Sequence, residues 1–500
     1  MQITLSTSFG LPTLGIESVS DSLALYSQGG EGFLLYGSDT TNEIEALSLG
    51  AVASPGSGFM VAQEVAGPSF TSLQPGSGLT VQVSGLTTRL FSFGATGGTL
   101  TMQTLGADGL PGPVSTALCN QGPLVGVTTF EILGGPTGDQ AVLSFANYNG
   151  LKLYSLSGTG VFTYQSTYTD TNKTYLGNVS DTLSVTVGGL HWMLSLSSLE
   201  GGITSFSVDA AGHVSLVDSL GTIDGLPASG AAAMQSLVVG GVTYVVIAAT
   251  GSSALSVVRI NDMGCLFATD TLFDDLTTRF SHPVALDTFT WAGRSFVVSG
   301  GSDAGLQVFE LRPDGKLTPF ATGIFETGGG LGAITGLEAA VSGNRVDFYV
   351  VDAGNQRILD YTMDLGALGG RISAGSGTTT GTGQGDFLWG SGAAQVLDGA
   401  GGDDWIFDGA GADTLTGGAG ADVFLFAADG VMDTITDFEL HKDRINLSDW
   451  GRIYSAAALT ITPSANGATL SWGGQSITII SATGHSLSAA SFTDDDFIFI

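Results

Sequence analysis

The 500-residue chain carries 77 glycines, only 12% charged residues, and 46 acids against 14 bases, for a net charge of −32 and a pI near 4.1. A single core rarely grows beyond roughly 250–300 residues, so at least two domains are expected. The acidic balance excludes nucleic-acid phosphate as a partner, and 43% apolar residues with a mean hydropathy of +0.32 exclude disorder.

The chain opens on MQITLSTS, an alternating strand pattern. This stretch has neither a basic region nor a sizeable apolar run, so no cleavable signal peptide is read there. Abundant Gly, Thr, Val and Ser then favour strands and tight turns over helices. Residues 295–315, SFVVSGGSDAGLQVFELRPDG, set a pattern of apolar strand, small-residue turn, alternating strand and polar turn closed by glycine. Residues 243–264, 191–212 and 141–160 repeat it, and 347–366, 89–109 and 33–58 are weaker copies. The closing glycines are Gly58, Gly109, Gly158, Gly212, Gly264, Gly315 and Gly366, spaced by 51, 49, 54, 52, 51 and 51 residues. Leading and trailing strands flank each copy. Four short antiparallel strands in such a period predict a propeller blade, and blades must stack around an axis to cover their faces. The seventh copy ends on LGALGGRI, without a convincing fourth strand, so MQITLSTS is expected to complete it and tie the ring shut.

The uncharged stretch 225–258 is split by Gly240 and Gly241 and reads as two buried strands, not a membrane span. Cys119 and Cys265 are too few for a disulfide framework. Glu131, Gln235, Asp287 and Glu338 align near one level of four leading strands. Innermost strands line a propeller channel, so these side chains form a polar ring. Its carboxylates could hold a metal or act as acid and base; a solvated channel lining is the plainer expectation. His282, in Ser-His-Pro near the expected rim, is a weak catalytic candidate. The other histidines, His191, His213, His441 and His485, lack metal-ligand spacing, and no G-x-S-x-G elbow occurs. The repeats resemble the β-propellers of the lactonase-like and WD-repeat-like superfamily.

Composition changes near residue 371. Residues 371–380 are rich in Gly, Ser and Thr and read as a flexible linker between domains 1–370 and 381–500. A nine-residue period then runs through GTGQGDFLW (381–389), GSGAAQVLD (390–398), GAGGDDWIF (399–407), DGAGADTLT (408–416) and GGAGADVFL (417–425). Position six holds Asp386, Gln395, Asp404, Asp413 and Asp422; position eight holds Leu388, Leu397, Ile406, Leu415 and Phe424. Glycines permit a turn within six residues. Turn carbonyls can then converge with a carboxylate, and Ca²⁺ prefers oxygen ligands. The remaining three residues form a short strand with its apolar centre pointing inward.

This period resembles the RTX (hemolysin-type) calcium-binding nonapeptide of parallel β-rolls. The resemblance implies Ca²⁺ between turns two repeats apart. Its ligands would come from Asp386, Asp404, Asp413 and Asp422 with the turn glycines Gly399, Gly401, Gly417, Gly418 and Gly420. One side of the roll pairs Asp386 with Asp404 and Asp404 with Asp422. The other pairs Gln395 with Asp413 and is expected to be weaker, because an amide offers a carbonyl oxygen without charge. Residues 432–450, MDTITDFELHKDRINLSDW, resemble the segment that caps the roll in serralysin-type proteins. The final DDDFIFI resembles the uncleaved C-terminal signal of type I-secreted proteins. No H-E-x-x-H occurs, so a serralysin protease is excluded.

The expected fold is all-β, a seven-bladed propeller followed by an RTX β-roll with a capping β-sandwich-like segment. The expected function is a secreted, extracellular calcium-binding protein without a membrane span, exported by a type I secretion apparatus. Its propeller would act as a binding module for an unknown ligand. A lactonase-like hydrolase using the channel carboxylates, and a surface adhesion or matrix protein, are the alternatives.

Overall fold

The computed structural model describes residues 3–10, 23–28, 31–38, 43–51, 77–84, 87–94, 98–106, 112–133, 139–209, 213–275, 278–303, 305–324, 334–352, 357–375 and 377–499. The closing glycines Gly58, Gly109 and Gly212, and the end residues Met1, Gln2 and Ile500, lie outside the described residues. The fold is all-β, and among the described residues helix is limited to short turns such as Thr222–Asp224. It divides into two compact units, residues 1–290 with 295–364, and residues 291–294 with 365–500.

The first unit is propeller-like. Seven sheets lie among its described residues, each led by one strand: Leu23–Gln28, Ser77–Ser84, Val127–Leu133, Val179–Val187, Ala231–Val239, Ala285–Trp291 and Ile334–Ser342. Strands follow in chain order across each sheet, as short antiparallel hairpins dictate, except that Leu118–Cys119 adds in parallel beside Val161–Thr169 and Ile3–Gly10 adds to the last sheet. The predicted break at Gly240 and Gly241 is such a hairpin. Both glycines are left-handed, with φ of 60° and 81°, and join Ala231–Val239 to Val242–Ala249. The same irregularity recurs in the trailing strands: Gln165, Val217, Thr269 and Phe320 bulge out of register at steps of 52, 52 and 51 residues. The repeat is therefore written in the backbone as well as in the glycines.

Apolar side chains pack between successive sheets. Phe91 and Phe93 meet Phe130 and Phe162, Val142 and Leu153 meet Met193 and Phe206, and Leu194 and Ile203 meet Met234 and Val245. Val246 and Leu255 meet Val297 and Phe309 in the same way. The strand Leu23–Gln28 neighbours both Ser77–Ser84 and Ile334–Ser342. The N-terminal strand Ile3–Gly10 pairs antiparallel with Arg357–Asp364, with Ile3 opposite Met363 and Leu5 opposite Tyr361. It is the outer strand of the last sheet.

The second unit is a parallel β-solenoid. One sheet runs through Leu368–Ser373, Gly385–Trp389, Trp405–Phe407, Val423–Leu425, Arg444–Asn446 and Phe497–Ile498. The facing sheet runs through Thr378–Thr380, Val396–Asp398, Thr414–Thr416 and Met432–Phe438, then through Gln475–Ser481, Gly467–Trp472 and Thr460–Ser464. Residues 371–380, expected as a linker, thus carry strands of both sheets. Thr is a good strand former, and Thr378, Thr379 and Thr380 pair with Val396, Leu397 and Asp398. Coils stack in register: Leu388, Ile406, Phe424 and Ile445 form one column, and Leu397, Leu415 and Ile435 the other. All seven are fully buried in the core between the sheets. The last strand is anchored by buried Asp496, which accepts the His441 N–H at 2.8 Å and the Thr493 N–H at 2.7 Å.

Candidate metal centre

The nonapeptide turns stack into two columns of carboxylates. In one column Asp404 Oδ1 accepts the Asp386 N–H at 2.7 Å, Asp422 Oδ1 the Asp404 N–H at 2.9 Å, and Asp443 Oδ1 the Asp422 N–H at 3.1 Å. In the other, Asp413 Oδ1 accepts the Gln395 N–H at 2.7 Å and Asp433 Oδ1 the Asp413 N–H at 2.9 Å. One oxygen of each carboxylate therefore clamps the coil before it. The second does not: Oδ2 of Asp404, Asp413 and Asp422 is buried with no hydrogen-bond partner. An unpaired buried carboxylate oxygen is costly unless something cationic faces it.

The electrostatics agree. Burial pushes Asp404 up to about 8, and the carboxylates of Asp422 and Asp386 add to it. Burial likewise raises Asp422 to about 7, with Asp443 and Asp437 contributing, and Asp413 to about 6, with Asp429 contributing. A divalent cation would reverse each of these terms. Room for one is kept by glycine. A Cβ on Gly399 would stand 2.3 Å from Asp404 Oδ2 and 2.6 Å from the Gly417 carbonyl oxygen; one on Gly417 would stand 2.3 Å from Asp422 Oδ2. Gly418 and Gly420 hold φ of 92° and 155°, open to glycine at little cost. Gly401 bridges to Ala419 in the next coil. Among the described residues no three Asp, Glu, His or Cys side chains gather into one cluster. The turns at Asp404, Asp413 and Asp422 instead offer unpartnered carboxylate oxygens, that of Asp404 beside the Gly417 carbonyl, an all-oxygen set that fits Ca²⁺.

The first coil is built differently. Asp386 Oδ1 accepts the Gly370 N–H at 2.9 Å, and its Oδ2 accepts the Thr382 N–H and, at 2.7 Å, the Thr382 hydroxyl. Gln395 Oε1 accepts the Ser391 N–H at 2.7 Å while its amide nitrogen donates to the Gly375 carbonyl. The column expected to be weaker also extends further than the nine-residue frame indicates. It continues from Asp413 to Asp433, and Asp408 adds a buried carboxylate whose Oδ1 accepts the Ala427 N–H at 2.9 Å. Burial pushes Asp408 up to about 9, with Asp433 and Asp413 contributing. Sequence reasoning missed both. The signals were an aspartate where position one is otherwise glycine, and a 20-residue step from Asp413 to Asp433 that breaks the frame.

In the first unit the four polar residues of the leading strands lie partly buried, and the carboxylates act across sheets. Glu131 accepts the N–H of Ser184 at 2.9 Å and its hydroxyl. Asp287 Oδ2 accepts the Ala339 N–H at 2.7 Å. Asp181, not singled out from the sequence, accepts the Met234 N–H at 2.8 Å and its neighbour Thr182 N–H at 2.8 Å. Burial raises Asp181 to about 7 and Asp287 to about 6. Glu338 is raised well above its ordinary value by burial and then by Asp287. Each accepting carboxylate thus caps a backbone donor of the next sheet's leading strand. Trailing strands do the same: Asp218 accepts the Leu266 N–H at 2.9 Å and Asp270 the Leu317 N–H at 2.7 Å. The repeat-length spacing of Asp218 and Asp270 was the available signal. His282 is exposed, with Nδ1 near Ser281 Oγ at 3.0 Å and Ser302 Oγ at 3.3 Å.

Residues 389–424 match the family of RTX calcium-binding nonapeptide repeats, in four copies. The second unit is thus a parallel β-solenoid carrying RTX calcium-binding repeats. No curated protein matches the chain. Solved structures similar to it include a Bacteroides fragilis NCTC 9343 protein described as a candidate 6-phosphogluconolactonase, at 11% identity and TM-score 0.39, covering 68% of this chain and 92% of that one. A Lactobacillus plantarum protein is 13% identical with TM-score 0.39, covering 66% of this chain and 90% of its own. A functionally unknown protein from Desulfotomaculum acetoxidans DSM 771 has 13% identity and TM-score 0.39, with coverage of 69% and 96%. No helix among the described residues is long and apolar enough to cross a membrane.

Proposed function

We propose that this is a secreted calcium-binding protein whose solenoid completes its fold on extracellular Ca²⁺. The observation that carries the reading is the row of buried, unpartnered Oδ2 atoms on Asp404, Asp413 and Asp422. Beside them lie turns built on Gly399, Gly401, Gly417, Gly418 and Gly420, in the region that matches the RTX repeats. Calcium at ten times its dissociation constant contributes about 1.4 kcal/mol per site, and extracellular modules bind at roughly 10⁻⁴–10⁻³ M. Several turns together then respond to calcium outside a cell and not to the far lower free calcium within. Circular dichroism of the full chain tests this. Strand signal and thermal stability should rise between chelator and millimolar calcium, and identical spectra in both would overturn the reading.

Export by a type I apparatus and a serralysin-like cap belong to the same proposal. They rest on the resemblance of the sequence of residues 432–450 to the capping segment and on the acidic-then-apolar sequence DDDFIFI, 494–500. Seven sheets closing one ring are supported by Leu23–Gln28 lying beside the leading strands of both the second and the seventh sheet. For the propeller a binding role is preferred over hydrolysis, because Glu131 and Asp287 are occupied by backbone donors of neighbouring strands.

A further inference from the structure

The five nonapeptides adopt two turn geometries. In the last three, positions two and four are left-handed: Ala400 and Gly402 with φ of 71° and 102°, Gly409 and Gly411 with 86° and 115°, Gly418 and Gly420 with 92° and 155°. In the first two no residue of either turn has positive φ. There position two is Thr382 or Ser391, and its N–H points at the side chain of position six, closing on Asp386 or Gln395. The division coincides with the hydrogen-bond inventory. Asp386 has both oxygens engaged. Gln395 is engaged at its oxygen and its nitrogen. Asp404, Asp413 and Asp422, at 0%, 2% and 1% exposure, each keep an unpartnered oxygen.

We propose that the roll is built in two parts: a base over residues 381–398 closed by side-chain hydrogen bonds without metal, and a calcium-filled part from Gly399 onward. Thr382 and Ser391 are the residues that set the boundary. Both stand at position two, where the later turns carry the left-handed Ala400, Gly409 and Gly418. A turn that keeps negative φ at position two aims that N–H inward, where it satisfies the position-six side chain that would otherwise seek a cation. The base therefore needs no ion to form, and it presents one strand of each sheet, Gly385–Trp389 in one and Val396–Asp398 in the other, to the coil that follows. Calcium-driven folding then extends an existing template and avoids the costly first turn of an isolated solenoid.

The proposal rests on calcium binding by the later turns, and the experiment separates the two. Calorimetric titration of the full chain with CaCl₂ first establishes a stoichiometry. Asp386→Asn should leave that number unchanged, whereas Asp422→Asn should lower it. Amide hydrogen exchange of the wild-type chain in chelator gives an independent readout. The amides of Thr382 and Ser391 should stay protected while those of Asp404 and Asp422 lose protection several-fold. Loss of an ion in Asp386→Asn with its strand signal intact would overturn the division, as would exchange of Thr382 and Ser391 as fast as the later turns. A wild-type chain that takes up no calcium at all would overturn both readings.

Discussion

Ala400 stands at the second position of its turn with φ of 71°, where the equivalent residues are Gly409 and Gly418. A left-handed L-residue costs about 1–2 kcal/mol, and glycine gives back about 0.5–1 kcal/mol in chain entropy. Ala400→Gly should therefore stabilise the solenoid by about 0.5–1 kcal/mol, read as a higher melting temperature in calcium. The aspartates make a pH prediction at the same scale. Unfolded, these carboxyls titrate near 4; in the metal-free fold burial raises Asp413 to about 6, Asp422 and Asp433 to about 7 and Asp404 to about 8. Between those values the folded chain binds more protons than the unfolded one, so stability falls as pH rises. Metal-free protein should melt higher at pH 5 than at pH 8, and calcium should bind more tightly at pH 8. Because a net charge of −32 pushes the same way, the double variant Asp404→Asn, Asp422→Asn identifies the source. It should flatten the pH dependence of the metal-free melt, and an unchanged slope would place the effect elsewhere.

Between elements, the carboxylates of the first unit act as clasps. Asp181→Ala leaves the Met234 N–H without its acceptor. A buried donor left unpaired costs about 1–3 kcal/mol, so thermal unfolding of the first unit should shift down by that amount, equally in calcium and in chelator. A calcium-dependent shift would contradict the assignment. These clasps also show what the sequence could carry at this scale. The level shared by Glu131, Gln235, Asp287 and Glu338 follows from the repeat period alone. Asp181 sits two residues off that level, just after the register shift that follows Val179, so the shared level of the other four does not point to it. The solenoid was more legible, because a nine-residue frame places Leu388, Leu397, Ile406, Leu415 and Phe424 inside without further information. Where that frame breaks, after Phe424, the reading lost Asp433 as the next member of its column. Asp386 reads like the later aspartates and Gln395 as a weaker counterpart, because the N–H groups of Thr382 and Ser391 that engage them leave no mark on the nine-residue period.

For the molecule as a whole, the pairing of Ile3–Gly10 with Arg357–Asp364 decides how the first unit holds together. Removing residues 1–9 strips the outer strand from the last sheet and opens an edge there. The truncated chain should melt well below the full-length one and aggregate on heating; an unchanged melting curve would show that the strand is dispensable. The same pairing imposes a schedule. At about 5–20 residues per second of synthesis, the partner of Ile3 appears roughly 20–70 seconds after Ile3 itself. Throughout that interval the N-terminal strand has no sheet to join, while the strands of the intervening sheets already have their sequence neighbours. Within the first unit the strand made before the others is thus the last to be placed, and a ribosome that stalls before Arg357 leaves that unit nearly complete with a loose, pairing-ready strand.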